Sequence, residues 1–166
     1  AKPPARFEAG TPHIAGAVGL AAAVDFLSGL GMEHVASLEA DLLAYATTEM
    51  SQIDGLRVIG TAPDKAGILS FVVEGVHPQD LGTLLDQQGV AIRTGHHCAQ
   101  PAMEAFGVTA TARASLGVYN TAQDIERLVQ ATQRVRWPRS TITAPPLRPT
   151  LARRRLFAQM FVHEES

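Results

Sequence analysis

The residues with the most chemical potential lie in one segment, RTGHHCAQP at positions 93–101. It contains the chain's single cysteine, Cys98, directly preceded by His96 and His97, with Arg93 close upstream. A thiol becomes a good nucleophile as its thiolate, and a nearby positive charge or base favours that form. Arg93, His96 and His97 are three candidate sources of such stabilisation. Gly95 permits a sharp turn and Pro101 can open the next element, so Cys98 is expected on an exposed loop held by rigid neighbours. The competing reading makes Cys98 a small buried apolar residue; its polar, glycine-punctuated context argues against that. Histidine and cysteine also ligate zinc. Adjacent residues rarely face one ion, however, and no second cysteine or spaced His/Asp/Glu cluster lies near, so no metal site is expected.

A second residue stands out in TARAS, positions 111–115. Arg113 is flanked by small residues in a β-like stretch, an awkward place for a cation unless it meets an anion. A planar guanidinium holds a carboxylate through two parallel hydrogen bonds, which suits an amino-acid substrate. An exposed strand arginine or an internal salt bridge would explain it equally well.

Elements must position these groups. The segment 14–30 is rich in Ala and Gly, with Ile14, Val18, Val24 and Leu27 near helical spacing and few polar residues, so it reads as a helix buried on most sides. Gly31 is a plausible stop. A second helix follows, with Val35, Leu38, Leu42, Tyr45 and Ile53 on one stripe. Strands are expected at 56–59, 68–73, 90–93 and 111–116. A helix runs from Pro78 toward Gly89, a short one follows Pro101, and a last one is capped by Asn120 or Thr121 with Ile125, Leu128, Val129, Thr132 and Val135 inward. Two helices ahead of closely spaced strands predict an α+β fold, with a largely antiparallel sheet covered by helices.

Composition bounds the class. At 166 residues and 46% hydrophobic, with Gly 14 and Pro 10, the chain is not disordered, collagen-like or coiled-coil. One cysteine excludes an internal disulfide framework. No apolar run has the length of a membrane span and no basic leader is evident, so a soluble, cytoplasmic domain is expected. Net charge is −2, which leaves no footprint for nucleic acid. Residues 1–136 hold nine Lys/Arg and fourteen Asp/Glu, whereas 137–166 hold five Arg and two Glu. That shift, with four prolines in the tail, places a boundary near Arg136. The tail's Arg153, Arg154 and Arg155, followed by Leu156 and Phe157, would make a short basic amphipathic helix; a solvated extension is the simpler expectation.

Three segments together resemble one family: RFEAGTP at 6–12, RTGHHCAQP at 93–101, and ARASL at 112–116 followed by YNT at 119–121. They are similar to the C-terminal part of pyridoxal-phosphate-dependent cysteine desulfurases, class V aminotransferase relatives of the group that serves the SUF sulfur-mobilisation system. Bacterial-type selenocysteine lyases belong to the same group. The resemblance covers residues 1 to about 136 and implies the small C-terminal domain of the fold-type I architecture.

It also implies roles. Cys98 matches the catalytic cysteine, which takes the sulfur of L-cysteine as a persulfide and leaves L-alanine, for iron–sulfur cluster assembly. Arg113 matches the arginine that holds the substrate carboxylate. Arg93 lines the same site, and Thr11 matches a threonine reaching the cofactor phosphate across a homodimer. His96 and His97 match the two histidines before the cysteine. Expected partners are L-cysteine and a SUF sulfur-acceptor protein, with no nucleic acid and no membrane. The family's cofactor lysine has no match, because the only lysines are Lys2 and Lys65. The chain is therefore expected to lack activity alone. A non-enzymatic sulfur-relay or partner-binding module is the alternative.

Overall fold

The computed structural model describes residues 1–135; the boundary at Arg136 and the tail 137–166, with its amphipathic stretch, lie outside the described residues. After a single 3-10 turn at Ala5–Phe7 come two helices, α1 (Ile14–Leu30) and α2 (Met32–Met50). Strands β1 (Leu56–Ile59) and β2 (Ile68–Val73) follow, then α3 (Pro78–Asp86), β3 (Arg93–Gly95), α4 (Gln100–Ala105), β4 (Thr111–Ser115) and α5 (Ala122–Arg134). The four strands form one antiparallel sheet in the order β1-β2-β4-β3. This is the α+β architecture that the element order predicted.

Periodicity explains which face is covered. In β2, Leu69, Phe71 and Val73 are buried, while Ile68 is exposed and Ser70 and Val72 are only partly covered. Leu69 stands opposite Ala114, and Phe71 opposite Ala112. These join Leu42 and Met50 of α2, Leu81 and Leu85 of α3, and Ile125 and Leu128 of α5 in one core. Complete burial of a side chain such as Phe71 or Leu42 stabilises by roughly 1.5–3 kcal/mol. The three helices therefore share one face of the sheet. Residues of opposite parity, including Ser70, Arg93 and Arg113, point to the other.

Two expectations need correction. The strand expected at 90–93 is instead Arg93–Gly95. Val90 donates its N–H to Leu85 O at 3.0 Å, closing the end of α3, so that donor is spent before a ladder can begin. Next to it, Thr94 turns toward α3 and bonds Gln79 at 3.2 Å. A Cβ on Gly82 would lie 2.7 Å from Thr94 Cγ2, so glycine is what lets helix and strand approach so closely.

The second correction concerns α1, expected to be buried on most sides. None of its residues is buried, and Ile14, Val18, Leu20, Val24 and Phe26 are all exposed. Its composition demands a covering surface, and the described residues do not provide one. Gly31, at φ 84°, ends the helix as expected, and its N–H returns to Leu27 O and Ser28 O. Among the described residues no single helix is long and apolar enough to cross a membrane; α1 and α2 pass that measure only as a pair bent by 79°.

Candidate functional site

Strand pairing builds the site. Arg93 on β3 stands directly opposite Arg113 on β4. Paired residues point to the same face, with Cβ atoms about 5 Å apart, and like charges so placed repel. Among the described residues neither arginine makes an ion pair that would offset this repulsion. Arg93 is exposed and Arg113 half-buried. The Nε of Arg113 is shut away from solvent with no acceptor among the described residues. On its other side Arg113 faces Ser70 of β2. A buried guanidinium donor without a partner is costly. With the exposed Arg93 beside it, Arg113 makes a receptor for an anion, and a carboxylate matches its fork.

Past β3 the chain turns sharply. Gly95, at φ 125°, needs glycine, and it is followed by two left-handed non-glycine residues, His97 and Cys98. Ala99 N–H donates to His96 O at 2.9 Å and closes a four-residue turn. The N–H of Cys98 donates to His96 Nδ1 at 3.3 Å. Cys98 is thereby held on an exposed turn, its thiol free. His97 reaches back to β4, where its Nε2 lies 2.9 Å from Thr111 Oγ1. Its Nδ1 is buried without a partner among the described residues.

Burial, then the Arg113 guanidinium, hold the His97 ring below the ordinary imidazole range, with smaller contributions from Arg93 and His96; the contact with Thr111 acts the other way. The positive charge of Arg113, and to a smaller degree that of Arg93, thus disfavours protonation of the His97 ring.

The sheet brings Arg93, Arg113, His96, His97 and Cys98 to its β3–β4 end. Thr11 is not joined to them: it is exposed ahead of α1, and no hydrogen bond links it to the turn or to β4. Two residues that sequence reasoning did not single out belong here, Thr111 and Ser70. Thr111 was legible in principle, since the alternation in TARAS puts it on the same face as Arg113.

Pyridoxal phosphate needs an amine for its carbonyl as well as charge for its anionic groups. Lys65 donates to Gly60 O at 2.9 Å in the β1–β2 loop, at the opposite edge of the sheet, and Lys2 is exposed near the first turn. The arginine pair fits a carboxylate or phosphate; neither lysine fits the covalent anchor. Among the described residues no group of three or more His, Cys, Asp or Glu side chains could hold a metal ion.

Comparison with known proteins gives the family and the fold. Residues 1–128 match the model of the aminotransferase class-V family. The chain is 55% identical over 134 residues to a probable cysteine desulfurase of Xylella fastidiosa, covering 81% of this chain and 32% of that protein. It is 52% identical over 132 residues to a cysteine desulfurase of Synechococcus elongatus, covering 80% and 21%. The fold superimposes on the apo cysteine desulfurase of Thermococcus onnurineus with a TM-score of 0.73 at 36% identity, over 80% of this chain and 34% of the other. For a cysteine desulfurase of Escherichia coli the TM-score is 0.72 at 38% identity, over 79% and 32%. The chain thus spans about a third of the length of most of these relatives.

Proposed function

Because the chain belongs to the aminotransferase class-V family, we propose that it is the sulfur-accepting part of a pyridoxal-phosphate-dependent cysteine desulfurase. Cysteine desulfurases of this family depend on pyridoxal phosphate in general and act as dimers on cysteine. The observation that carries the reading is an exposed thiol on a fixed turn beside two opposed arginines that lack a carboxylate.

The cofactor, when bound, supplies the electron sink that lets the Cβ–S bond of cysteine break. This chain's residues do the rest. Arg113, assisted by Arg93, takes the substrate carboxylate and fixes the amino acid's orientation. The Cys98 thiolate attacks the substrate sulfur, as in thiol–disulfide exchange, and keeps it as a persulfide. The carbon takes a proton, giving L-alanine. An exposed turn can then pass the sulfur to a partner thiol, for which a SUF-type acceptor in iron–sulfur cluster assembly is the natural candidate; selenocysteine is a chemically equivalent substrate. In this reading Thr11 serves a cofactor phosphate in a neighbouring subunit, a role that rests on its match to the family's threonine. The chain is read as one unit to about residue 136 followed by an extension. A reactive free thiol is preserved in a reducing compartment, which supports a cytoplasmic location. With no fitting lysine, the chain alone is expected to be inactive.

The test combines the purified chain with the remaining two thirds of a relative such as the Xylella fastidiosa protein. Cofactor absorbance, alanine and cyanide-labile sulfur on Cys98 are measured with and without that complement. Absorbance and alanine that appear only on complementation support the reading. Cys98→Ala should then bind cysteine yet yield almost no sulfur. Arg113→Ala should weaken cysteine binding roughly 10- to 150-fold, the value of a charge-assisted bond of about 1.5–3 kcal/mol. Equal binding by wild type and Arg113→Ala removes Arg113 from the site. Sulfur uptake by Cys98 from an added persulfide donor, with no alanine in any combination, favours the relay module, which needs the exposed thiol and no cofactor.

A further inference from the structure

The least expected feature of the backbone is a pair of consecutive non-glycine residues in the left-handed region, His97 at φ 56° and Cys98 at φ 57°. They are the two central residues of the turn 96–99, closed by the Ala99 N–H to His96 O bond. Positive φ at both central positions marks a primed type I turn, a conformation dominated by Gly, Asn and Asp. Each Cβ there meets its own backbone, and such strain persists only where surrounding contacts impose it.

Two side-chain contacts act on this turn. The Cys98 N–H to His96 Nδ1 bond lies within the turn and moves with it. The His97 Nε2 to Thr111 Oγ1 contact leaves the turn and reaches a fully buried hydroxyl at the start of β4. Thr111 is in register with Gly95 and two residues from Arg113, so the turn is tied to the strand that carries the anion receptor. Because Thr111 is held in the core, this hydrogen bond fixes the ring, and with it the turn, to the sheet.

We propose that His97 is a positioning residue: anchored on Thr111 Oγ1, it holds the turn 96–99 in its left-handed form and so fixes where Cys98 Sγ stands relative to Arg113. Its value to catalysis rests on the proposed function; the restraint itself does not.

The test uses the full chain with only Cys and His isotopically labelled, so that few signals report. Scalar couplings and Cα/Cβ shifts of His97 and Cys98 read the sign of φ, and the native alkylation rate of the single thiol by iodoacetamide reads its presentation. Wild type and Thr111→Ser, which keeps the hydroxyl, should show positive φ at both residues. Thr111→Val should lose it at both, and His97→Ala at Cys98, the labelled residue that remains on the turn. Both should change the alkylation rate by the same factor, and the double variant by no more, because each deletes the same contact. Positive φ retained in Thr111→Val and His97→Ala, or multiplied rate changes in the double variant, overturns the proposal. Should Thr111→Val fail to fold, His97→Ala, altered on the turn and not in the core, decides alone. A chain that shows the restraint but takes up no sulfur sinks the functional reading and leaves this one standing.

Discussion

Cys98 occupies the third position of a turn whose geometry resists a side chain, yet its thiol is exposed and unpaired. Such a thiol should be alkylated rapidly under native conditions; reaction only after unfolding would show that the turn hides it. His97 offers an independent check on the charge around it. Its NMR titration should fall below the ordinary imidazole range, and Arg113→Gln should move it only part of the way back, because burial is the larger cause. The linkage has a definite sign. Between the lowered pKa and the ordinary one, the unfolded chain binds a proton that the folded chain does not, so acidification through that interval lowers stability. Thermal unfolding against pH should therefore be flatter there in Arg113→Gln than in wild type. An unchanged His97 titration in that variant would mean that Arg113 does not act on the ring.

Among the elements, α5 has the clearest local origin. Thr121 is its N-cap, and the Thr121 N–H donates to Asp124 Oδ2 at 3.0 Å in a capping box. The neighbouring Asn120, the other candidate cap, instead accepts the Gly117 N–H at 2.9 Å. Thr121→Ala should cost about 1 kcal/mol of stability by denaturant unfolding. The Thr121 backbone bond, more than any other contact, holds the Asp124 carboxyl below its usual range. This contribution is complete above the ordinary carboxylate pKa and is lost as pH falls through the lowered one. Asp124→Asn should therefore weaken the fold at neutral pH and flatten the acid limb of its stability curve. An acid limb as steep as wild type would place that pH dependence elsewhere.

At the scale of the whole molecule, α1 dominates. It carries Ile14, Val18, Leu20, Val24 and Phe26 into solvent, interrupted by Asp25 and Ser28. Contiguous apolar patches above about 400 Å² promote association. The rest of the described chain closes its own core through α2, α3, α5 and the sheet. The isolated chain should therefore fold and also self-associate. Sedimentation velocity at micromolar concentration should show species heavier than a monomer, and Leu20→Glu with Val24→Glu should shift them toward monomer without loss of helix or sheet signal. A clean wild-type monomer would mean that α1 is covered from within the chain.

The periodicities in β2, α2 and α5 are local, and alternation or helical spacing within a few turns is enough to bias the backbone, so β2 and α5 formed where their patterns placed them. The helix α2 did so only as far as Met50, and Ile53, expected on its stripe, is buried in the turn that follows. The chemistry-bearing segment was legible in the same way, from Cys98 with its histidines and from Arg113 among small residues. Register was not legible. That Arg93 stands opposite Arg113, and that Thr111 rather than any nearer residue meets His97, depends on how two distant strands pair. The late start of β3 had the same origin: Val90 gave its N–H to α3, a choice made by packing and not by propensity. For α1 the sequence declared a need for burial but could not say which surface meets it, because hydrophobic pattern records what a face requires and never what lies across from it.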